Sequence, residues 1–178
     1  KDQEMRRFVL LLLAGILLLI VQTTWLSFFP VQRMKPDLLL IFTLYLAFLF
    51  PPFLGGILAF FMGYLMDLFS GNTLGLYAFS RTLVFFGTQF LKERFYLEGF
   101  SFQFLFAFAF SFVEGGLLLV LINGRDPASL ENLFISLLTF LLPRSFCTAL
   151  LTPFFFSLFQ KGIAVVISQP EQGIKARG

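Results

Sequence analysis

The sequence predicts an all-α integral membrane protein, with about six transmembrane helices packed in one bundle. Three observations carry that reading. Hydrophobic residues make up 58% of the 178 residues and charged residues only 13%, roughly half the ~25% charge of an ordinary soluble domain. The apolar residues fall in long runs, separated by short polar, proline- or glycine-bearing segments. Most of those runs approach the ~20 residues that a helix needs to cross a hydrocarbon core. Mean hydropathy is +0.88 and Phe alone occurs 29 times, which excludes a soluble globular domain, a disordered tail and a coiled coil.

The first run is Phe8 to Phe29. It is too long for the apolar region of a signal peptide and lacks a small-residue cleavage site, so it is expected to stay as an anchor. Met5-Arg6-Arg7, just ahead of it, reads as a natural start. The second run, Leu38 to Phe50, is short. Pro51-Pro52 ends it, because proline donates no backbone N–H and the residue before a proline resists helical geometry. The third run is Phe53 to Phe69, and Ser70-Gly71-Asn72 after it has turn composition. The second and third runs also fit a re-entrant hairpin, which leaves the parity of the topology unchanged.

The fourth run is Thr73 to Leu91 and the fifth is Phe102 to Ile122. The sixth begins near Leu133 and continues to about Phe159, with Pro143 and Pro153 inside it. A kink or break is expected there. Residues 1–160 are thus the expected transmembrane domain, and 161–178 a short, loosely ordered cytoplasmic tail.

Orientation follows from Lys and Arg in short loops. With the N-terminus inside, the inner set is Lys1, Arg6, Arg7, Lys92, Arg94, Lys161, Lys175 and Arg177, against Arg33, Lys35 and Arg125 outside. That asymmetry places both termini in the cytoplasm. Trp25, Phe28 and Phe29 then lie at the outer interface, and Phe95 and Tyr96 at the inner one. The net charge of +3 reports orientation and not nucleic-acid binding.

The chemistry is narrowed by what is missing. The chain has no His, so it has no Ser-His-Asp triad and no His-ligated metal. Its one Cys, Cys147, excludes an internal disulfide.

Four ionisable residues fall inside the runs: Asp67, Arg81, Glu114 and Arg144. Each Asp, Lys or Arg at a helix centre costs about 2.5–3.5 kcal/mol to insert. Two are acidic and two basic, so the set can neutralise itself. Arg81 lies eight residues past Thr73, and Glu114 eight before Ile122. Both sit about 12 Å below the outer face at ~1.5 Å per residue. Arg144 lies deeper, about 16 Å past Leu133 by the same rise. Glu114 is therefore expected to pair with Arg81 first and with Arg144 next. The balance favours ion pairs that hold helices together over a polar pocket or an ion path.

Gly56, Ala59, Gly63 and Asp67 recur at spacings of three and four, a narrow stripe where another backbone can come close. Gly115-Gly116 is expected to do the same on the fifth run. Packing within the chain is favoured over packing on a partner. The stripe points Asp67 into the bundle, where its carboxylate can accept from N–H groups at the start of the next helix. Gly71 would supply an awkward turn conformation, Asn72 or Thr73 a cap, and Gly75 a close approach.

Asp67-Leu68-Phe69-Ser70-Gly71, followed by Leu74-Gly75-Leu76-Tyr77-Ala78, resembles the MreD family of bacterial rod shape-determining membrane proteins. Lys35-Pro36-Asp37-Leu38-Leu39-Leu40 resembles that family's other recurrent stretch. The motifs span about residues 36–80, and the layout of about six runs covers the rest. The resemblance marks Pro36, Asp37, Asp67, Gly71 and Gly75 as motif positions. Arg81, Glu114 and Arg144 lie outside it.

The resemblance implies a non-catalytic scaffold of the cell-elongation machinery in the inner membrane, which organises lateral peptidoglycan synthesis. It implies MreC, a single-span protein, as partner. Through MreC it implies the actin-like MreB, the RodA glycosyltransferase and a class B penicillin-binding protein. It also implies a fold similar to the substrate-binding subunits of energy-coupling-factor transporters. The competing function is therefore capture of a vitamin or other small molecule. Such a site needs convergent polar groups, and the outer halves of the runs offer only Gln22, Thr23, Thr24 and Asn123. No cofactor or metal is expected. The alternating Phe102, Phe104, Phe106, Phe108, Phe110 and Phe112 must leave some rings facing lipid or a partner.

Overall fold

The computed structural model describes residues 2–24, 35–70, 74–92, 99–123, 135 and 137–167. Among these, α1 (Asp2–Thr24), α2 (Leu38–Leu49), α3 (Pro52–Ser70), α4 (Leu76–Lys92) and α5 (Phe100–Asn123) follow in order. A π-helical stretch, Leu137–Leu141, then leads into α6 (Leu142–Ile167). The described residues contain no strand.

Each boundary has a local cause. Phe50 is extended (φ −105°, ψ 152°) between the end of α2 and the proline pair, and α3 starts on Pro52 itself. Proline at a first helical position loses no hydrogen bond that the helix would have made. The fourth helix starts at Leu76, later than the apolar run implies, because Gly75 holds φ at +94°. The break expected at Pro143 takes the form of the π-helical stretch. The Pro143 ring crowds the carbonyl four residues back, at Thr139, and a widened turn relieves that clash. Pro153 is carried inside α6 without interruption, and α6 continues past Lys161.

The core is built around α2, which packs against each of the other helices. Every residue from Leu38 to Ala47 is buried, and only Phe48 and Leu49 at its end are partly exposed. Its 12 residues reach only about 18 Å at ~1.5 Å per residue, well short of a ~30 Å hydrocarbon core. Among the described residues, three stretches are long and apolar enough to cross a membrane: Pro52–Ser70, Phe100–Leu121 and Thr139–Gly162. The apolar parts of α1 and α2, Phe8–Thr24 and Leu38–Leu49, are shorter.

α3 packs chiefly on α4 through the small-residue stripe. At Gly63 an added Cβ would lie 2.6 Å from the Ala78 Cα and the Tyr77 carbonyl oxygen, both backbone atoms that cannot step aside. The stripe thus serves packing within the chain. On α5, Gly115 admits the Leu141 side chain of the π-helical stretch, whereas Gly116 faces open space and makes no such approach. The outer faces are apolar: Leu13 and Leu17 on α1, Phe53 and Phe60 on α3, Phe154 and Leu158 on α6 are all exposed. The α5 rings divide between two tasks. Phe104, Phe106, Phe108 and Phe110 pack against the core, while Phe112 is exposed and continues a stack through Phe108 to Phe104.

Candidate functional site

A helix as short as α2, buried inside a bundle, has polar ends that water does not reach freely. Its free N–H and C=O groups need partners from the protein. At its N-terminus, Asp37 is the cap, and its Oδ1 accepts from Leu40 N at 2.9 Å. Gln22 of α1 accepts from Leu39 N at 2.9 Å through Oε1 and donates from Nε2 to Asp37 Oδ1 at 3.3 Å. Asp37 N donates to Thr148 Oγ1 of α6 at 3.0 Å. At the other end, Lys92 Nζ donates to the Ala47 carbonyl at 3.0 Å, and Gln89 Nε2 to the Phe50 carbonyl at 2.7 Å. An acid at the N-terminus and a cation at the C-terminus also oppose the helix macrodipole.

The second carboxylate oxygen of Asp37 is the hub of the molecule. Arg81 Nη2 of α4 and Arg144 Nη2 of α6 both donate to Oδ2, each at 2.6 Å. Arg81 Nη1 reaches across to Glu114 Oε2 of α5 at 3.0 Å, and Ser80 Oγ donates to Glu114 Oε1 at 3.0 Å. One network therefore ties α1, α2, α4, α5 and α6. Two carboxylates face two guanidinium groups, so the set is neutral. Asp37, Arg81 and Glu114 are almost fully buried, at 1%, 0% and 3% exposure. Burial of this kind is tolerated only when charges are paired and hydrogen-bonded.

The remaining motif residues form a second polar joint. Asp67, 1% exposed near the end of α3, accepts from Gly75 N and Ala78 N at 3.0 Å through Oδ2, and from Tyr77 N at 2.9 Å through Oδ1. The carboxylate of one helix thus caps the first turn of the next. Gly75 is needed for its positive φ and not for a close approach, since an added Cβ would meet nothing within 4 Å. Pro36 is half-buried in the segment leading to the Asp37 cap. Gly71, Asn72 and Thr73 lie outside the described residues.

Arg81 and Glu114 meet as their matched depths require. Arg144 pairs with Asp37 and not with Glu114. Asp37 stands just ahead of an apolar run, so a count of charges within the runs passes over it. The signal was in the length of that run: a helix too short to cross must bury at least one end, and its cap with it. Gln22, Gln89 and Lys92 serve the ends of the same helix. Among the described residues, no group of three or more His, Cys, Asp or Glu is placed to hold a metal ion.

Fold and site together define a helical membrane protein with a neutral ionic core around a short, largely buried helix. The chain belongs to the MreD family: the family model for the rod shape-determining protein MreD matches residues 2–167. Membership implies a role in determining rod shape. Among curated proteins and among solved structures, none matches the chain.

Proposed function

We propose that the chain is a non-catalytic scaffold of the bacterial cell-elongation complex. It would hold an MreC-like single-span protein in the inner membrane and, through it, help organise lateral peptidoglycan synthesis by MreB, RodA and a class B penicillin-binding protein. Both termini would lie in the cytoplasm. The observation that carries this reading is how the polar groups are used. Both carboxylates of the ionic core are engaged with arginines on neighbouring helices. Gln22, the best remaining polar group for a small ligand, is bound to the α2 N-terminus. Thr23 Oγ1 donates back to the Leu19 carbonyl at 2.9 Å. These polar groups thus serve the bundle, and the broad apolar outer faces are the means of recognition. Between helices in lipid, attraction comes from close packing, and exposed rings such as Phe60 and Phe112 offer large contact areas.

Photo-crosslinking in cells tests this. A photoreactive residue at Phe60, Phe112 or Phe154 in turn should capture a single-span protein from at least one face. Adducts with lipid alone from all three positions would count against a held partner. Capture of vitamins would be expected only of the competing transporter-subunit reading.

A further inference from the structure

α6 is held to α2 in different ways on the two sides of Pro153. Beyond it, rings interlock: Phe156 lies 5.4 Å from Tyr45 and 6.2 Å from Phe48, and Phe159 5.5 Å from Phe42. Before it, residues 142–152 are tied to α2 by polar contacts that converge on Asp37. Arg144 Nη2 donates to Oδ2, and Thr148 Oγ1 accepts from the Asp37 N–H. The backbone is weakened at both ends of this stretch. Ahead of it the helix is π-helical over Leu137–Leu141, a form that recurs at functional sites. At its far end Pro153 has no N–H, so the carbonyl of buried Ala149, four residues back, has no helical donor. Thr148 Oγ1 and Thr152 Oγ1 donate back to the Arg144 and Thr148 carbonyls at 2.8 Å, which tends to bend a helix and weaken it slightly. The seat on α2 is also imperfect. Ser145 Oγ is buried with no hydrogen-bond partner, and two guanidinium groups crowd one carboxylate oxygen. Of those two, Arg144 is the releasable one. Its side chain is 32% exposed and it pairs with Asp37, whereas Arg81 is fully buried and is held by Glu114 as well.

We propose that residues 142–152 form a hinged arm, which turns about Pro153 and is latched to α2 by the Arg144–Asp37 ion pair. The π-helical stretch takes up the movement at the other end. The ring cluster beyond Pro153 stays in place and gives the arm a fixed base. Opening leaves Asp37 well served, since it keeps Arg81, the Leu40 N–H and Gln22. Phe146 and Leu150 lie exposed on the arm. A contact there that favours one arm position shifts the balance between the two and is felt at the ionic core. The inference does not depend on the scaffold reading.

Distances between paired spin labels test this in the full chain, in lipid nanodiscs, with Cys147→Ser as background. One label pair, Leu150→Cys with Leu83→Cys, joins the arm to α4. The other, Leu158→Cys with Leu83→Cys, joins α6 beyond Pro153 to the same point. All three sites are exposed. Arg144→Met should raise the share of a second distance in the arm pair about tenfold, the factor expected when one charge-assisted hydrogen bond is lost. The other pair should not change. Adding Pro153→Ala, which restores a helical donor to the Ala149 carbonyl, should reverse the rise. Thr148→Val keeps every ion pair. It should raise the second distance by a smaller factor, and it decides the matter if Arg144→Met does not fold. A single unchanged distance in the arm pair of the Thr148 variant and of any folded Arg144 variant would overturn the proposal. So would a rise that Pro153→Ala leaves intact, or equal movement of the two pairs, which would mean that α6 shifts as one rigid helix.

Discussion

Arg81 on α4 and Arg144 on α6 share one oxygen atom: Asp37 Oδ2 accepts from both at 2.6 Å. The two cations are held side by side only by that carboxylate, with Glu114 relieving Arg81 from the far side. Asp37→Asn therefore removes the counter-charge of both at once. The variant should lose about 3–5 kcal/mol of stability, read as a large fall in Tm in detergent. Changing Arg144 to Met in the same chain should recover part of the loss. An unaltered Tm in Asp37→Asn would mean that the site is wet.

Glu114→Gln should be milder. Arg81 keeps Asp37, and the Gln carbonyl can still accept from one of its two donors, so the loss should be about 1–3 kcal/mol. The order of Tm values, wild type above Glu114→Gln above Asp37→Asn, checks the hub role of Asp37 independently of any absolute number.

Two glycine substitutions should move stability in opposite directions. Gly63→Ala drives a methyl group against the Ala78 and Tyr77 backbone, and overpacking of that kind costs about 1–3 kcal/mol. Gly116→Ala meets nothing within 4 Å and should be neutral or gain up to about 1 kcal/mol from helix propensity. Paired unfolding curves decide it. An unaltered stability in Gly63→Ala would mean that α3 and α4 are not in close backbone contact.

Lys92→Met keeps the apolar stem but leaves the Ala47 carbonyl without its donor. A loss of about 1–3 kcal/mol is expected, with faster hydrogen exchange at the last turn of α2. If α2 is unaffected, its C-terminus is satisfied by water.

Much of this arrangement was legible in the residues. Equal depth alone paired Arg81 with Glu114, because two neighbouring helices that run in opposite directions bring such residues level. The Gly56–Asp67 stripe placed Asp67 inside the bundle, and the three N–H groups it accepts from are those of the next helix's first turn. Asp37 was harder to read. Counting charges within apolar runs passes over a residue that caps one, and only the shortness of α2 implies that its cap is buried. The π-helical stretch followed from Pro143 in position but not in kind: a ring clash states where a helix must yield, not which way. Gly75 carries the same lesson, since sequence does not tell a glycine chosen for φ from one chosen for space. In sequence Lys92 bears only on orientation, because its reach to the Ala47 carbonyl depends on how α4 lies along α2.

The most direct measurement is purification of the full chain from a rod-shaped bacterium in mild detergent, with every co-purifying protein and small molecule identified. A single-span MreC-like protein should come down in stoichiometric amount, and no vitamin or metal should be retained. The chain recovered alone, carrying one stabilising small molecule per copy, would contradict the scaffold role and favour substrate capture.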